Sequence, residues 1–227
     1  MFLGHLAIGL AAKRVAPRTS LGVLLGASEL IDVLFPAFVL AGWEQVRVVP
    51  GDNPFLSAEF HYPLSHSLAL TGVWAVAAAL VYWLLSRYGR GTVVVGLAVL
   101  SHWLLDLVSH RPDMPVYPGN SPMLGLGLWY SVPGTITVEL LMLAAGVWLY
   151  TRVSQPLDRF GRYGLWSFIA LMVVLYLSMV FGPPAPDSGA FAWVGISFGL
   201  FFLYAAWFDR HREVARKRWL KPGDTPA

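Results

Sequence analysis

Apolar residues fall in seven blocks separated by short polar stretches, at roughly 2–16, 20–41, 66–86, 91–109, 132–152, 163–181 and 189–208. Blocks of this kind read as membrane-crossing helices, which need ~20 predominantly apolar residues. The first block is short for that purpose and is expected to tilt or to enter only part way. Proline marks several boundaries: the third block opens just after Pro63, and the fourth closes before Pro112. Between His110 and Ser131, Pro112, Pro115, Pro118, Pro122 and several glycines predict an ordered loop or cap rather than a helix. No internal repeat or low-complexity tract interrupts the pattern. The expected fold is all-α, a polytopic membrane helix bundle of about seven segments.

Composition agrees with the pattern. Of 227 residues, 56% are hydrophobic and 13% charged, against about 25% charged in an ordinary soluble domain. No polar stretch is large enough for a separate soluble unit, so residues 1–227 are expected to form one integral membrane domain. The absence of cysteine excludes disulfides, thiolate metal ligands and a cysteine nucleophile. Ten tryptophans, most of them near block ends, fit an interfacial belt.

Charge orients the bundle. Met1 to Ala12 is apolar, with Lys13 and Arg14 behind it, the reverse of a cleavable secretory signal. The first block is therefore expected to be retained, with its amino end outside. In that orientation every basic residue except Arg47 and Arg111 lies on the cytoplasmic side. The group includes the basic tail, 209–227, which reads as an anchor for anionic lipid. Five or six crossings would spoil this asymmetry. The expected location is the inner (plasma) membrane, multi-pass, with the carboxyl end in the cytoplasm. The net charge of +3 is explained by this distribution, and no nucleic-acid partner is expected.

The polar residues inside the apolar blocks are the candidate chemistry. His102, Asp106 and His110 are spaced i, i+4, i+8, which stacks them on nearly one helix face. Imidazole with carboxylate suits zinc first, or manganese or iron, although the same pair could be only a buried hydrogen bond between helices. His110 sits near the loop and reads as a gate, rim contact or cap. His61 and His66 open the third block, and Ser65 is a candidate helix cap. His5 lies between Gly4 and Gly9, which would let another helix approach. Glu29 and Asp32 share a face of the second block at a depth where unpaired acids are costly. Glu139 invites the same argument in the fifth. Topology brings five of the six histidines to the outer half of the membrane, so the site is expected mainly within 1–139. The metal candidates are His5, Asp32, His61, His66, His102 and Asp106. Asp32 and Glu139 are the candidate catalytic carboxylates. No H-E-x-x-H, Gly-x-Ser-x-Gly or Gly-rich phosphate loop is present.

Residues 1 to 110 resemble the YdjM-like, LexA-regulated family of inner-membrane metal-dependent hydrolases. The resemblance rests on His5, the Glu29/Asp32 segment, His61 and His66-Ser67 at an H-x4-H-S spacing, and His102-x3-Asp106. Two departures stand out. The acids are i, i+3 with no proline before them, where the family has a P-D-x-D-like motif. Tyr62 replaces the arginine that follows the family's first histidine. The resemblance implies a small multi-helix membrane protein with a divalent metal centre and hydrolytic activity.

The expected function is therefore a metal-dependent membrane hydrolase acting on a lipid or lipid-linked ester or phosphoester near the outer surface, with Arg111 a weak candidate for steering phosphate. The alternative is a non-enzymatic ion- or proton-coupled transporter or metal-binding membrane protein. That reading requires polar groups at both depths, whereas the inner halves of the blocks read as almost purely apolar. A third possibility is an assembly protein whose polar residues only join helices.

Overall fold

The computed structural model describes residues 1–49 and 51–214. The part of the basic tail beyond 214 lies outside the described residues. The apolar blocks become helices: α1 (Phe2–Val15), α2 (Leu21–Ser28), α3 (Leu30–Leu40), α4 (Leu68–Ser86), α5 (Gly89–Ser109), α6 (Val132–Val153), α7 (Arg159–Phe181), α8 (Ser188–Ser197) and α9 (Gly199–Arg210). Among the described residues, five helical stretches are long and apolar enough to cross a membrane: α4, α5, α6, α7, and α8 with α9 together. The α2–α3 pair would make a sixth if it is one broken span. A multi-pass integral membrane protein fits these lengths and compositions. The short first block is α1, 14 residues long, or ~21 Å at 1.5 Å per residue, which is less than a bilayer core.

That short helix is the centre of the bundle. Leu3, Gly4, His5, Leu6, Ala7, Gly9 and Leu10 are buried, so most of the circumference of α1 is covered by its neighbours. It packs chiefly against α6, α2 and α5. Glycine makes the closest approach possible: a Cβ on Gly146 of α6 would sit 2.6 Å from the Ala7 carbonyl oxygen. By contrast α4 lies at the periphery and turns Val73, Val76, Leu80, Val81 and Leu85 outward, an apolar surface suited to lipid.

The second block differs from the single helix expected over 20–41. It breaks at Glu29, and α2 and α3 are bent 60° from each other. At the end of the bundle where α3 and α5 finish, short strands form a cap. Strands β1 (Gln45–Val48) and β2 (Ala58–His61) pair antiparallel, with Gln45 opposite His61. Strands β3 (Met114–Pro115) and β4 (Met123–Leu124) form a second pair inside the expected cap region. Phe35, Val46, Tyr62, Trp103 and Met114 make an apolar cluster beneath these strands.

The opposite end carries what the blocks did not predict. Strands β5 (Ser154–Pro156) and β6 (Arg212–Val214) pair antiparallel. Nearby, Lys13 Nζ is buried against Asp209 Oδ2 at 2.6 Å and donates to the Thr19 carbonyl at 2.8 Å. Asp209 also accepts from the Leu21 N–H at 2.9 Å and the Tyr150 hydroxyl at 2.7 Å. This end of the bundle is thus not purely apolar, and Lys13 is an internal ion-pair partner rather than a free surface charge.

Candidate metal centre

The helix ends beneath the cap bring five of the sequence candidates together: His5, Asp32, His66, His102 and Asp106. Their side chains are at most 4% exposed, except for Asp32 at 42%. The i, i+4 spacing on α5 does what the helix period predicts, setting His102 Nε2 3.1 Å from Asp106 Oδ2. Asp32, in the first turn of α3, faces both histidine rings across the bundle. Its Oδ1 is 3.3 Å from His66 Nε2 and 3.5 Å from His102 Nε2. His66 Nε2 is 3.8 Å from Asp106 Oδ2.

The second carboxylate oxygen of Asp106 faces α1. Oδ1 lies 2.6 Å from the Met1 amino group and 3.1 Å from His5 Nε2. The His5 ring stacks on that of His102, with centroids 3.7 Å apart and planes 9° from parallel. Two overlapping donor triads result: His66, His102 and Asp106, and His5, Asp32 and His102.

The hydrogen bonds behind the ligating atoms fix which nitrogen is free. His102 Nδ1 is 2.8 Å from the Ser28 carbonyl. A carbonyl only accepts, so Nδ1 carries a proton, and in the neutral ring Nε2 carries the lone pair. That carbonyl is free because Ser28 ends α2, and the last carbonyls of a helix have no partner further along it. The α2–α3 break therefore orients a ring on α5. His102 Nε2 is buried without a hydrogen-bond partner, although two carboxylates face it. Three acceptors turned toward one point call for a proton or a metal ion among them.

The donor spacing fits such a cation. A tetrahedral ion with bonds of ~2.0–2.1 Å needs its ligand atoms about 3.3 Å apart. The four distances between the two histidine nitrogens and the two carboxylate oxygens are 3.1, 3.3, 3.5 and 3.8 Å. Within one triad, His66, His102 and Asp106, the donor atoms all lie within 4.8 Å of one another, close enough to share one divalent ion, and Asp32 faces the same two rings from α3.

Two candidates are placed elsewhere. His61 is exposed and stands opposite Gln45 at the end of β2. Side chains alternate along a strand, so Phe60 and Tyr62 turn toward the cap's apolar cluster and His61 turns away. The metal-ligand expectation for His61 is corrected accordingly. Glu139, expected as a catalytic carboxylate, caps a helix instead: its Oε2 accepts the Leu3 N–H at 2.6 Å. A helix start leaves its first amides unpaired, and this carboxylate satisfies one of them. Glu29 sits buried at the α2–α3 break, with Oε1 unpartnered. Arg111 is not free to meet a phosphate. It bonds Asp113 Oδ2 at 3.0 Å and the Ala58 carbonyl at 2.9 Å.

The rim holds residues that sequence reasoning undervalued or missed. His110 ends α5 as a cap. It bonds Asp113 Oδ1 at 3.0 Å and the Tyr62 hydroxyl at 3.1 Å, and its ring lies against Trp129 at 3.9 Å. Its Nε2 is 4.0 Å from Asp106 Oδ1. Burial pushes the His110 pKa below its usual 6.5, against the pull of Asp113. Burial alone would raise Asp113, but His110, Tyr62 and Arg111 together, through their hydrogen bonds and charge, hold the carboxyl below its usual range. Glu44 was missed, and Ser65 was assigned another role. Ser65 does not cap α4; Ser67 does, accepting from the Leu70 N–H. Ser65 instead joins Glu44 behind His66.

Comparison of the chain with family models, with curated proteins and with solved structures found no match.

Proposed function

We propose that the protein is a metal-dependent membrane hydrolase whose divalent ion, zinc by the donor set, is held by His66, His102, Asp32 and Asp106. The observation that carries this reading is the convergence of two buried imidazole nitrogens with two carboxylate oxygens, every nitrogen-to-oxygen distance falling between 3.1 and 3.8 Å. A divalent ion in such a site supplies hydrolytic chemistry by bringing the pKa of bound water toward ~7 and by polarising a carbonyl or phosphoryl oxygen. The chain's own residues hold the ion, and Asp106 Oδ1 holds His5 on the far side. Asp32 is the one partly exposed ligand, so a substrate meets the centre from its side. The resemblance of residues 1–110 to the YdjM-like hydrolases points the same way.

The apolar cap over the other ligands and the surrounding bundle favour an amphiphilic substrate, a lipid or lipid-linked ester or phosphoester. With seven segments, the amino end outside and the tail in the cytoplasm of an inner membrane, the centre lies near the outer surface. The distribution of basic residues supports that orientation even with Lys13 taken up internally.

The transporter reading gains one supporting observation, the buried Lys13–Asp209–Tyr150 network at the other end of α1. Between the two polar sites, however, α1 presents the buried apolar residues Leu6, Ala7 and Leu10, and the Lys13 network is internally satisfied. Hydrolysis at one site is therefore preferred.

The test is metal analysis of detergent-purified protein, wild type against His66→Ala and Asp106→Ala, followed by assay on lipid esters and phosphoesters. Stoichiometric metal in the wild type alone, with metal-dependent turnover, is expected. A wild type that takes up no metal even after reloading refutes the reading. Metal with no turnover, but with uptake into vesicles, would replace it with transport.

A further inference from the structure

Behind His66 lies a buried hydrogen-bonded chain that ends in a carboxylate. Glu44, just before β1, is 1% exposed. Its Oε1 accepts the backbone N–H groups of Leu64 and Ser65 at 2.7 and 2.8 Å. Its Oε2 accepts the Ser65 hydroxyl at 2.7 Å. Ser65 Oγ in turn lies 2.8 Å from His66 Nδ1. All three side chains are buried.

The direction of every proton in this chain follows from what each group can do. A carboxylate only accepts, so the Ser65 hydroxyl proton points at Glu44. Ser65 Oγ then has only lone pairs to offer His66, and a 2.8 Å contact requires Nδ1–H. In the neutral ring Nε2 is left with its lone pair, facing Asp32 and Asp106. His66 thus reaches by a side-chain relay the tautomer that His102 reaches through the Ser28 carbonyl.

We propose that Glu44 and Ser65 are positioning residues of the metal centre: the Glu44 carboxylate, acting through the Ser65 hydroxyl, holds His66 in the Nδ1–H tautomer that presents Nε2 to the ion. This rests on the metal centre proposed above. Carboxylates that orient a ligating histidine are a general feature of metal sites, and their loss typically weakens binding about 10–100-fold. Here a serine lies between the two, which makes the direction of the relay testable.

Glu44→Gln preserves shape and leaves an amide oxygen for the Leu64 and Ser65 N–H groups. Its NH2, placed where Oε2 was, donates to Ser65 Oγ. The Ser65 hydroxyl then turns to donate to His66 Nδ1, and the imidazole proton moves to Nε2, where it blocks the metal. A role limited to holding the turn would be kept by glutamine.

The experiment measures Zn2+ affinity, by competition with a chelating dye, for full-length detergent-purified wild type, Glu44→Gln, Ser65→Ala, Ser65→Thr and the Glu44→Gln/Ser65→Ala double variant. Melting of the metal-free proteins is measured alongside. The expected result is a loss of about 10–100-fold for Glu44→Gln, with metal-free melting close to wild type. The double variant should be no weaker than the weaker single variant, because both changes act through one relay. Ser65→Thr, which keeps the hydroxyl, should recover most of what Ser65→Ala loses. Wild-type affinity in Glu44→Gln, or losses that multiply in the double variant, would overturn the relay and leave the metal centre standing. If Glu44→Gln does not fold, equal affinities for Ser65→Ala and Ser65→Thr overturn it instead. A wild type that binds no Zn2+ refutes the metal centre itself, and the relay with it.

Discussion

His61 and His66 are five residues apart and both are candidate ligands in the sequence, so replacing each with alanine separates the three-dimensional site from the motif. His66 Nε2 contributes two of the four close donor distances at the centre. His61 contributes none of them and is exposed on β2. Ligand binding to the folded state stabilises it by RT ln(1 + [L]/Kd), which at a hundred times Kd is about 2.7 kcal/mol. A variant that binds a hundredfold more weakly gains only about 0.4 kcal/mol at the same metal concentration. His66→Ala should therefore forfeit about 2.3 kcal/mol of metal-linked stability, while His61→Ala keeps all of it. The assay is unfolding in detergent with and without excess Zn2+, with EDTA as the zero point. Comparing each variant with its own metal-free form removes any cost of the substitution itself. If His61→Ala loses the metal increment as fully as His66→Ala, the strand alternation that turns His61 outward is wrong. If His66→Ala keeps the increment, the four-donor geometry is wrong.

Three further outcomes are expected. Lys13→Met or Asp209→Asn should each destabilise the bundle by about 3–5 kcal/mol, because each strands one partner of a buried ion pair; the double variant should cost less than the sum, and additive losses in SDS unfolding would remove the pairing. His110 titrates below 6.5 in the fold, so an unfolded or opened segment takes up a proton first as pH falls. The stability this histidine lends the cap is thus full above about 6.5 and is lost as pH drops below it, which protection factors over 110–131, with exchange corrected for its intrinsic pH dependence, would register at pH 7.5 and pH 5.5; higher protection at the lower pH contradicts it. Glu139→Gln should retain metal and turnover, since glutamine can still accept the Leu3 N–H, whereas Glu139→Leu should cost about 1–3 kcal/mol by leaving that amide unpaired; a glutamine variant that is stable but inactive would restore Glu139 as a base.

What could be read from sequence depended on distance along the chain. His102 and Asp106 were legible because one helix holds both, and the i, i+4 rule needs no tertiary information. His5, Asp32 and His66 were legible through cost: polar groups in apolar helices must find partners, and topology put all three at one end. His61 was misassigned because a period of two, not 3.6, governs residues 58–61, and a four-residue strand inside a polar loop leaves too little pattern to see. Glu44 was invisible for a related reason. It lies in that polar stretch, where a carboxylate is expected to be solvated, and only the fold of the cap buries it against Ser65. Lys13 and Asp209 are 196 positions apart, and as isolated charges at helix ends they were indistinguishable from topological signals.

The α2–α3 break connects these observations into one requirement on the fold. An unbroken helix over 20–41 would use the Ser28 carbonyl for its own i+4 amide, leaving the Nδ1 of His102 without its acceptor. The break at Glu29 frees that carbonyl for His102 and begins a new helix two residues before Asp32. Asp32 then stands in the first turn of α3, where the positive end of the helix dipole favours a carboxylate. The same break exposes Asp32 more than any other member of the cluster. One interruption therefore places a proton on Nδ1 of one candidate ligand, supports the charge of a second and leaves that second residue accessible. Pro36 cannot be its cause, because proline disturbs the turn before it, which here is the first turn of α3, and the break lies upstream of that turn. The stability lost at an interrupted apolar helix is offset only if something occupies the point on which His102 Nε2, His66 Nε2 and the two carboxylates converge, and so the metal-free protein should open first at Glu29.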